Sequence, residues 1–139
     1  METGCFLYRS TARLGSDRDL RAILAEARDR NTRLDLTGYL HCEDGSFYQW
    51  LEGPPEPLAE VATMIERDRR HQDMRYLLRG TQAVRQFKDW RMGFGVSDPG
   101  TLFEWIAERG ISRLDEARLA RSILGFLLSE PVRGRAEIS

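Results

Sequence analysis

The chain is poor in the residues that mark several common classes of protein. Its 139 residues include two cysteines and two histidines, so neither a disulfide framework nor a metal site with Cys/His ligand spacing is expected. Lysine occurs only at Lys88 and the net charge is −1, so the broad basic surface of a nucleic-acid-binding protein is missing. No apolar run approaches the length of a membrane span, and the N-terminus has no signal-peptide pattern. We therefore expect a cytoplasmic, metal-free protein that binds neither nucleic acid nor membrane, with Cys5 and Cys42 as reduced, buried thiols.

The composition that is present is typical of one folded domain. Hydrophobic residues make up 41% of the chain and charged residues 31%, which is enough for a core and too apolar for a disordered chain. Almost all of the positive charge is arginine, whose planar guanidinium binds an anion through paired hydrogen bonds. A small arginine cluster that holds a single phosphate group is therefore compatible with the sequence.

Alternating and helical patterns of apolar residues predict a mixture of strands and helices. The predicted strands are residues 5–11, 34–42, 46–52, 76–81 and 92–96. The predicted amphipathic helices are residues 17–30 and 58–70. Asp44-Gly45 predicts a hairpin between the second and third strands, whereas a connection through a helix favours parallel strands. The order predicts an α+β, ferredoxin-like sandwich, in which a five-stranded mixed sheet carries two helices on one face.

Residues 98–139 are predicted to be a helical extension of a domain formed by residues 1–97. Asp98-Pro99-Gly100 marks the boundary, and residues 101–109 and 112–129 have helical patterns. These roughly forty residues are too few for an independent enzymatic domain. We expect them to cap the sheet face that carries Tyr48 and Trp50, a face that a partner subunit could also cover. Residues 131–139 are predicted to be a frayed tail.

A single amide on an apolar strand face is the most informative feature of the predicted sheet. Gln49 faces the same way as Phe47 and Leu51, because alternate residues of a strand share a face. An amide in apolar surroundings must find hydrogen-bond partners or it reduces stability. A phenol at Tyr8, an amide at Asn31 and a planar ligand between them would supply these partners. A buried glutamine bonded to backbone groups is the alternative.

The two predicted helices offer a cleft for such a ligand. Ile23 and Asn31 lie on one stripe of the first helix, and Ile65 and Asp68 lie on one stripe of the second. A flat ligand between Ile23 and Ile65 would turn its edge toward the phenol and the amide. In the alternative interpretation, both isoleucines are ordinary core residues and Asn31 caps the end of its helix.

The polar end of this cleft lies near residues 68–71. Arg69, Arg70 and His71 suit an anionic group on the ligand. The alternative is a solvated helix end, where cations stabilise the helix dipole.

Six short motifs lie in order between about residues 5 and 96. They are Tyr8-Arg9-Ser10, Arg28-x-x-Asn31, Leu36-Thr37-Gly38, Gly45-x-Phe47-x-Gln49-x-Leu51-Glu52-Gly53, Ile65-x-x-Asp68-x-Arg70-His71 and Arg85-x-Phe87-x-x-Trp90-x-Met92. In these motifs and their spacing the sequence resembles the BLUF domain, a family of flavin-binding blue-light sensors. The fold of this family is the sandwich expected from the patterns above.

The resemblance implies specific photochemical roles for two residues. Tyr8 matches the phenol that donates an electron and then a proton to the excited flavin. Gln49 matches the amide between that phenol and the N5/O4 edge of the flavin, whose hydrogen-bonding sense reverses in light. This reversal shifts the flavin spectrum to the red without lasting reduction, so no catalytic residue is expected.

Further residues are implied in flavin binding and in the relay of the signal. Asn31 matches the amide that holds the O4/N3 side of the ring, and Ile23 and Ile65 match the apolar clamp. The other residues expected at the flavin are Ser10, Arg30, Asp68, Arg70 and His71. Arg30 is at a variable position that flanks the ring, and a solvated arginine is the alternative there. Trp90 and Met92 match a switching pair, of which either member can lie next to the glutamine.

The implied cofactor is FAD, although the ring-gripping site also admits FMN or riboflavin. The implied protein is a non-enzymatic sensor that signals to a separate, unidentified downstream protein. We also expect it to form a homodimer. Two other functions are compatible with the fold. One is a small acylphosphatase-like hydrolase, which the single glycine of the loop at residues 11–17, Gly15, makes a poor match. The other is a structural dimerisation module that uses Tyr48, Trp50 and the amphipathic tail.

Overall fold

The computed structural model describes residues 2–111, 115–129 and 136–137 of the chain. The elements are β1 (Thr3–Ala12), α1 (Asp17–Leu34), β2 (Thr37–Glu43), β3 (Ser46–Gly53), α2 (Pro55–Glu66), β4 (His71–Gln82), β5 (Gly93–Val96), α3 (Thr101–Glu108), α4 (Glu116–Ser129) and β6 (Ala136–Glu137). Within those described ranges, every helix is too short or too polar to cross a membrane.

The strands form one mixed sheet in the order β4-β1-β3-β2-β5-β6. β1 pairs antiparallel with both β3 and β4, β2 pairs antiparallel with β3, and β2 pairs parallel with β5. The strands joined through α1 and through α2 are parallel, but in each case one strand of the sheet lies between them. The predicted α+β class with a five-stranded mixed sheet is confirmed for the first five strands. The sheet has a sixth strand as well, because Ala136 and Glu137 pair with Gly95 and Phe94 of β5.

Several predicted boundaries are wrong, and the end of α1 gives the clearest reason. α1 continues to Leu34 and stops at Asp35, which has a left-handed backbone with φ 57°. The backbone carbonyl of Asn31 accepts hydrogen bonds from the N–H groups of Asp35 and Leu36. The side chain of Asn31 is therefore not the helix cap, and the strand predicted from residue 34 begins at Thr37.

Two further corrections concern α2 and the C-terminus. α2 ends at Glu66 instead of near residue 70, and β4 takes up the chain from His71. Residues 131–135 and 138–139 of the predicted frayed tail lie outside the described residues, whereas Ala136–Glu137 form β6.

The core on one face of the sheet packs against α1 and α2. Apolar side chains of the strands meet Leu24 and Ala27 of α1 and Leu58, Val61 and Ile65 of α2. This burial accounts for the helical spacing of apolar residues that predicted both helices. The two helices flank the cleft that holds the candidate site.

The opposite face of the sheet is covered by α3 and α4 of the same chain. Tyr39 and Trp50 of the sheet share a core with Ile106 of α3 and with Ile123 and Phe126 of α4. The division of the chain into domains at residue 97 stays a prediction.

Glu43 of β2 fixes the position of α3. Its carboxylate accepts hydrogen bonds from the backbone N–H of Leu102 at 2.9 and 3.1 Å. The same carboxylate lies 3.0 Å from His41 Nε2. A carboxylate at the first turn of a helix satisfies a backbone donor and stabilises the helix dipole, so Glu43 anchors α3 to the edge of the hairpin.

Candidate functional site

A cavity of about 320 Å³ lies between α1, α2 and the sheet. This volume is within the range of small-molecule sites, roughly 300 to 1,000 Å³. Most of the predicted site residues line it, namely Tyr8, Ile23, Arg30, Gln49, Ile65, Asp68, Arg70 and His71. Four predicted residues are not in the lining, namely Ser10, Asn31, Trp90 and Met92. Ser10, Asn31 and Met92 are fully buried, and Trp90 packs against the core on the other face of the sheet. The lining combines apolar walls with a few polar groups, as is usual for a cofactor site.

Tyr8 and Gln49 form the polar edge of the cavity. They face one another across neighbouring strands, because the register of β1 and β3 pairs them directly. The phenol oxygen of Tyr8 donates to Oε1 of Gln49 at 2.5 Å, and both side chains are buried. Burial raises the pKa of Tyr8 far above its ordinary value of 10, although the charge of Arg30 acts in the opposite direction. The phenol is therefore a proton donor at neutral pH, and the amide oxygen is its acceptor.

The other end of the Gln49 amide points at Met92. Nε2 of Gln49 donates to the thioether sulfur of Met92 at 3.6 Å, and Met92 has no exposed surface. Trp90 lies on the opposite face of the sheet, where its ring stacks on Tyr39 with a centroid distance of 5.5 Å. The structure therefore places Met92, and not Trp90, next to the glutamine.

The backbone of residues 90–92 is held by three donors in succession. The carbonyl of Trp90 accepts from the N–H of Gly38, and the carbonyl of Arg91 accepts from Nδ2 of Asn31. The carbonyl of Met92 accepts from Nε of Arg28 at 3.2 Å. Arg28 was not predicted as a site residue, although its spacing from Asn31 places the two on one face of α1.

Asn31 already uses both ends of its amide. Nδ2 donates to the carbonyl of Arg91, and Oδ1 accepts from Nε and Nη2 of Arg30 at 3.3 Å. Asn31 is fully buried and connects α1 to the segment that carries Met92. Arg30 lines the cavity, and burial lowers its pKa from the ordinary value.

His71 closes one end of the cavity through two buried hydrogen bonds. Its Nε2 lies 2.6 Å from the backbone carbonyl of Ile65, and its Nδ1 lies 2.8 Å from Oγ of Ser10. A carbonyl can only accept, so Nε2 carries a proton and donates to Ile65, while Nδ1 shares its hydrogen bond with the Ser10 hydroxyl. Ser10 thus sets the orientation of His71 from behind the cavity wall.

A cluster of charges surrounds the mouth of the cavity. Arg70 lies 2.7 Å from Asp68 and 2.6 Å from Glu26, so its guanidinium is shared by two carboxylates. The side-chain hydrogen bonds from Arg70 lower the pKa of Asp68, and those carboxylates raise the pKa of Arg70. Glu26 was not predicted, because its position on an exposed stripe of α1 gave no sign of a partner 44 residues away.

The model of the BLUF family, described as sensors of blue-light using FAD, matches residues 4–93. The structure of BlrB, a BLUF protein in its dark state, superimposes with a TM-score of 0.70 at 30% identity. That match covers 91% of this chain and 98% of BlrB.

Two further relatives are longer proteins that contain a similar region. BlrP1 of Klebsiella pneumoniae, solved with FMN and cyclic diGMP, matches with a TM-score of 0.61 at 30% identity, over 76% of this chain and 27% of BlrP1. Photoactivated adenylate cyclase subunit beta of Euglena longa is 41% identical over 56 residues, which are 40% of this chain and 6% of that protein. The chain therefore spans a small part of each of these two relatives.

Proposed function

Since this chain belongs to the BLUF family of blue-light sensors that use a flavin, we propose that it is a blue-light photoreceptor that signals through the hydrogen bonds of Tyr8 and Gln49. The observation that carries the proposal is the buried contact of 2.5 Å between the phenol of Tyr8 and Oε1 of Gln49 at the edge of a cavity. The similarity to this family gives no support to an acylphosphatase-like hydrolase or to a purely structural module.

The residues around the cavity fit a flavin ring. Ile23 and Ile65 provide apolar walls from opposite helices, which suit the two faces of a planar ring. Tyr8 and Gln49 provide a donor and a reversible amide at one edge. We propose that Arg30 contacts the polar side of the ring and that Asn31, whose Oδ1 accepts hydrogen bonds from Arg30, acts on that side by positioning Arg30. We propose that Asp68, Arg70 and His71, the last positioned by Ser10, contact the remainder of the flavin.

A bound flavin would supply the absorption of blue light and an excited state that accepts an electron. Tyr8 is suited to give up an electron and a proton, because its phenol is held protonated and points at an acceptor. Gln49 is suited to switch, because an amide has a donor end and an acceptor end of nearly equal shape. Reversing that amide changes which neighbours it donates to without changing the volume of the core.

We propose that Met92 reports this reversal. Met92 accepts from Nε2 of Gln49, so an amide that presents its oxygen instead removes that hydrogen bond. The change would be felt by the segment of residues 90–92, whose carbonyls are fixed to α1 and β2. Trp90 is the other member of the proposed relay and would respond through a change in its stacking on Tyr39.

The remaining parts of the proposal concern the cofactor and the output. FAD is proposed as the flavin. FMN and riboflavin are the alternatives, because the lining residues are proposed to contact mainly the ring, which all three flavins share. The chain is proposed to act without enzymatic activity of its own, as a cytoplasmic homodimer that changes its contacts with a separate downstream protein. The capped sheet face and residues 90–92 are the proposed exit for the signal.

The first test is the colour of the purified protein. Protein incubated with FAD, FMN or riboflavin and then desalted is expected to be yellow. Blue light is expected to shift its absorption to the red, and the shift should reverse in the dark. Protein that stays colourless with all three flavins would overturn the proposal. Size-exclusion chromatography in darkness and under blue light tests the homodimer separately.

A further inference from the structure

Glu52 is a carboxylate with no exposed surface in the middle of the protein. It lies on β3, three residues after Gln49, and points to the opposite face of the sheet. Charged side chains are almost never fully buried unless they have partners, because transfer of a charge out of water is unfavourable. The partners of Glu52 therefore indicate why a charge is kept there.

Five donors converge on this carboxylate. Oε1 accepts from the indole of Trp50 at 3.0 Å, from Nε2 of Gln82 at 2.7 Å and from the backbone N–H of Gln86 at 2.7 Å. Oε2 accepts from Oγ1 of Thr37 at 3.1 Å and from the backbone N–H of Phe87 at 2.6 Å. Since all five groups donate, they match the acceptor-only character of an ionised carboxylate.

Two of the five donors belong to the connection between β4 and β5, which runs from residue 83 to residue 92. The N–H groups of Gln86 and Phe87 lie in a stretch without regular secondary structure. Glu52 gives those two N–H groups the acceptor that a helix or a sheet would otherwise provide. The carboxylate thus fixes the start of the segment that ends in Trp90 and Met92.

An aromatic stack carries this constraint to Trp90. The ring of Phe87 stacks on Tyr39 at a centroid distance of 5.6 Å, and Tyr39 stacks on Trp90 at 5.5 Å. Trp90 also lies over Gly93, where a Cβ atom would come within 1.9 Å of its ring. The position of Phe87 therefore helps to fix the position of the Trp90 ring on Tyr39. Since Trp90 and Met92 belong to the same short segment, this also helps to fix the side of the sheet on which Met92 lies.

We propose that Glu52 is a positioning residue for the light switch. By binding the N–H groups of Gln86 and Phe87, it holds the connection so that Trp90 stays on Tyr39 and Met92 stays next to Gln49. The inference rests on the proposed photoreceptor function, since it assigns Glu52 a part in that switch. Glu52 touches neither the cavity nor the phenol, and it acts through the segment that it binds.

The first experiment uses the unmodified protein and measures amide hydrogen exchange residue by residue. The amides of Gln86 and Phe87 are expected to exchange at least about tenfold more slowly than those of Lys88 and Asp89, which are exposed in the same connection. Equal exchange at all four amides would overturn the proposal. This measurement needs neither flavin nor a variant, so it remains informative if the photoreceptor function is wrong.

The second experiment compares E52Q with E43Q. A glutamine at position 52 keeps one acceptor oxygen but turns an NH₂ group toward donors. If its oxygen keeps the three donors of Oε1, the N–H of Phe87 loses its acceptor. Exchange at Phe87 is then expected to rise at least about fivefold, since a buried donor without a partner is costly. E43Q is the matched control, because Glu43 is also a buried sheet carboxylate but binds the backbone of α3.

The rate at which the lit state returns to the dark state is measured in both variants, because a purely structural role of Glu52 would not change this rate. E52Q is expected to bind flavin and to show a red shift of normal size, because Tyr8 and Gln49 are unchanged. Its lit state should return to the dark state at least about threefold faster, since the segment of Met92 is less constrained. E43Q should return at the normal rate. An E52Q protein in which the amides of both Gln86 and Phe87 exchange at the normal rate, or whose lit state returns at the normal rate, would overturn the proposal.

Flavin binding by the unmodified protein separates the proposed photoreceptor function from the proposed role of Glu52 in holding the connection. Failure of the unmodified protein to bind flavin would refute the photoreceptor function and the part of Glu52 in it, while the exchange data would still report whether Glu52 holds the connection. If E52Q does not fold, E52D keeps the charge and shortens its reach by one methylene. Because aspartate reaches the two N–H groups less well, exchange at Gln86 or Phe87 should be faster in E52D than in the unmodified protein. Unchanged exchange at both amides would contradict the proposal.

Discussion

The phenol of Tyr8 and the amide of Gln49 face one another across β1 and β3, with 2.5 Å between Oη and Oε1. Because burial holds the phenol protonated, the proton on this contact belongs to Tyr8 and the amide oxygen accepts it. The amide nitrogen then faces Met92, whose sulfur lies at 3.6 Å. The oxygen of the Gln49 amide therefore faces Tyr8 and its nitrogen faces Met92. Substitution of any one of these three residues should disturb this orientation of the amide.

Tyr8→Phe removes the donor and leaves the oxygen of Gln49 without its partner. We expect the variant to bind flavin, because the apolar walls and the rest of the cavity are unchanged. We expect blue light to cause no normal red shift, because no phenol is available to start the proton and electron transfer. A light-minus-dark absorption spectrum measures both results. The matched control is Tyr76→Phe, which removes another bonded phenol outside the cavity lining and should keep the red shift.

Gln49→Leu tests the other half of the pair. Leucine is similar in size to glutamine but has neither a donor nor an acceptor, so the phenol loses its acceptor and no amide can reverse. The variant is expected to be yellow and to lack the red shift. Gln49→Glu keeps an acceptor but breaks the near symmetry of the amide, and it should also fail to switch normally. A normal photocycle in Gln49→Leu would contradict the proposed role of Gln49.

Sequence patterns predicted the first five strands and the first two helices, and the error at the end of α1 lies where a single backbone conformation decides the boundary. The alternation of apolar residues is a property of side chains, and it located β3 to within one residue at each end. α1 ends with a left-handed residue at Asp35, a conformation that glycine usually adopts at a helix end. No glycine marks this point, so a pattern-based reading stops the helix early and starts the next strand too soon.

Many of the residues that line the cavity, and the pairing of Tyr8 with Gln49, were predictable from the sequence, but most of the other contacts were not. The motifs around Tyr8 and Gln49 are short runs of neighbouring residues, so they can be recognised in the sequence without knowledge of the fold. The side of the sheet occupied by Met92 depends on how residues 83–92 are held, which involves a carboxylate more than 30 residues away in the chain. Arg28 and Glu26 were missed for the same reason, because each has its partner in a distant segment.

Met92→Leu removes the acceptor for the amide nitrogen of Gln49 at almost constant volume. Such an exchange in a core usually costs less than about 1.5 kcal/mol, so the fold should persist. We expect normal flavin binding, a shifted dark spectrum and a changed lifetime of the lit state, because Nε2 of Gln49 loses its partner. Absorption spectra and dark-recovery kinetics measure these effects. Trp90→Phe is the comparison, since Trp90 lies on the other sheet face and its replacement should leave the dark spectrum unchanged.

Asp68 gives a prediction for the dependence of stability on pH. Hydrogen bonds from Arg70 lower the pKa of Asp68 in the folded protein below its ordinary value of 3.8. A group whose pKa is lower when folded adds stability above its unfolded pKa and loses that contribution as the pH falls through the folded pKa. The difference in the free energy of unfolding between the normal protein and Asp68→Asn should thus be constant near neutral pH and shrink below pH 3.8.

Urea unfolding followed by circular dichroism at several pH values measures this difference. Asp29→Asn is the matched control, because Asp29 pairs with Arg33 on an exposed stripe of α1. An exposed pair of this kind contributes about 0 to 1 kcal/mol, so its removal should have little effect at any pH. A difference for Asp68→Asn that grows as the pH falls would contradict the direction of the pKa shift.

Gly93→Ala tests whether the position of the Trp90 ring depends on the absence of a side chain at residue 93. A Cβ atom at position 93 would lie 1.9 Å from the Trp90 ring and 2.6 Å from Tyr39. These contacts are too short to be relieved without moving the indole, and overpacking of this kind costs about 1 to 3 kcal/mol. The variant should be less stable in urea unfolding, and the indole resonance of Trp90 should shift in two-dimensional NMR. Gly80→Ala is the control, because a Cβ there meets nothing within 4 Å. An unchanged Trp90 resonance in Gly93→Ala would mean that the indole is not held at this position, and the constraint that links Glu52 to Met92 would then have to act without Trp90.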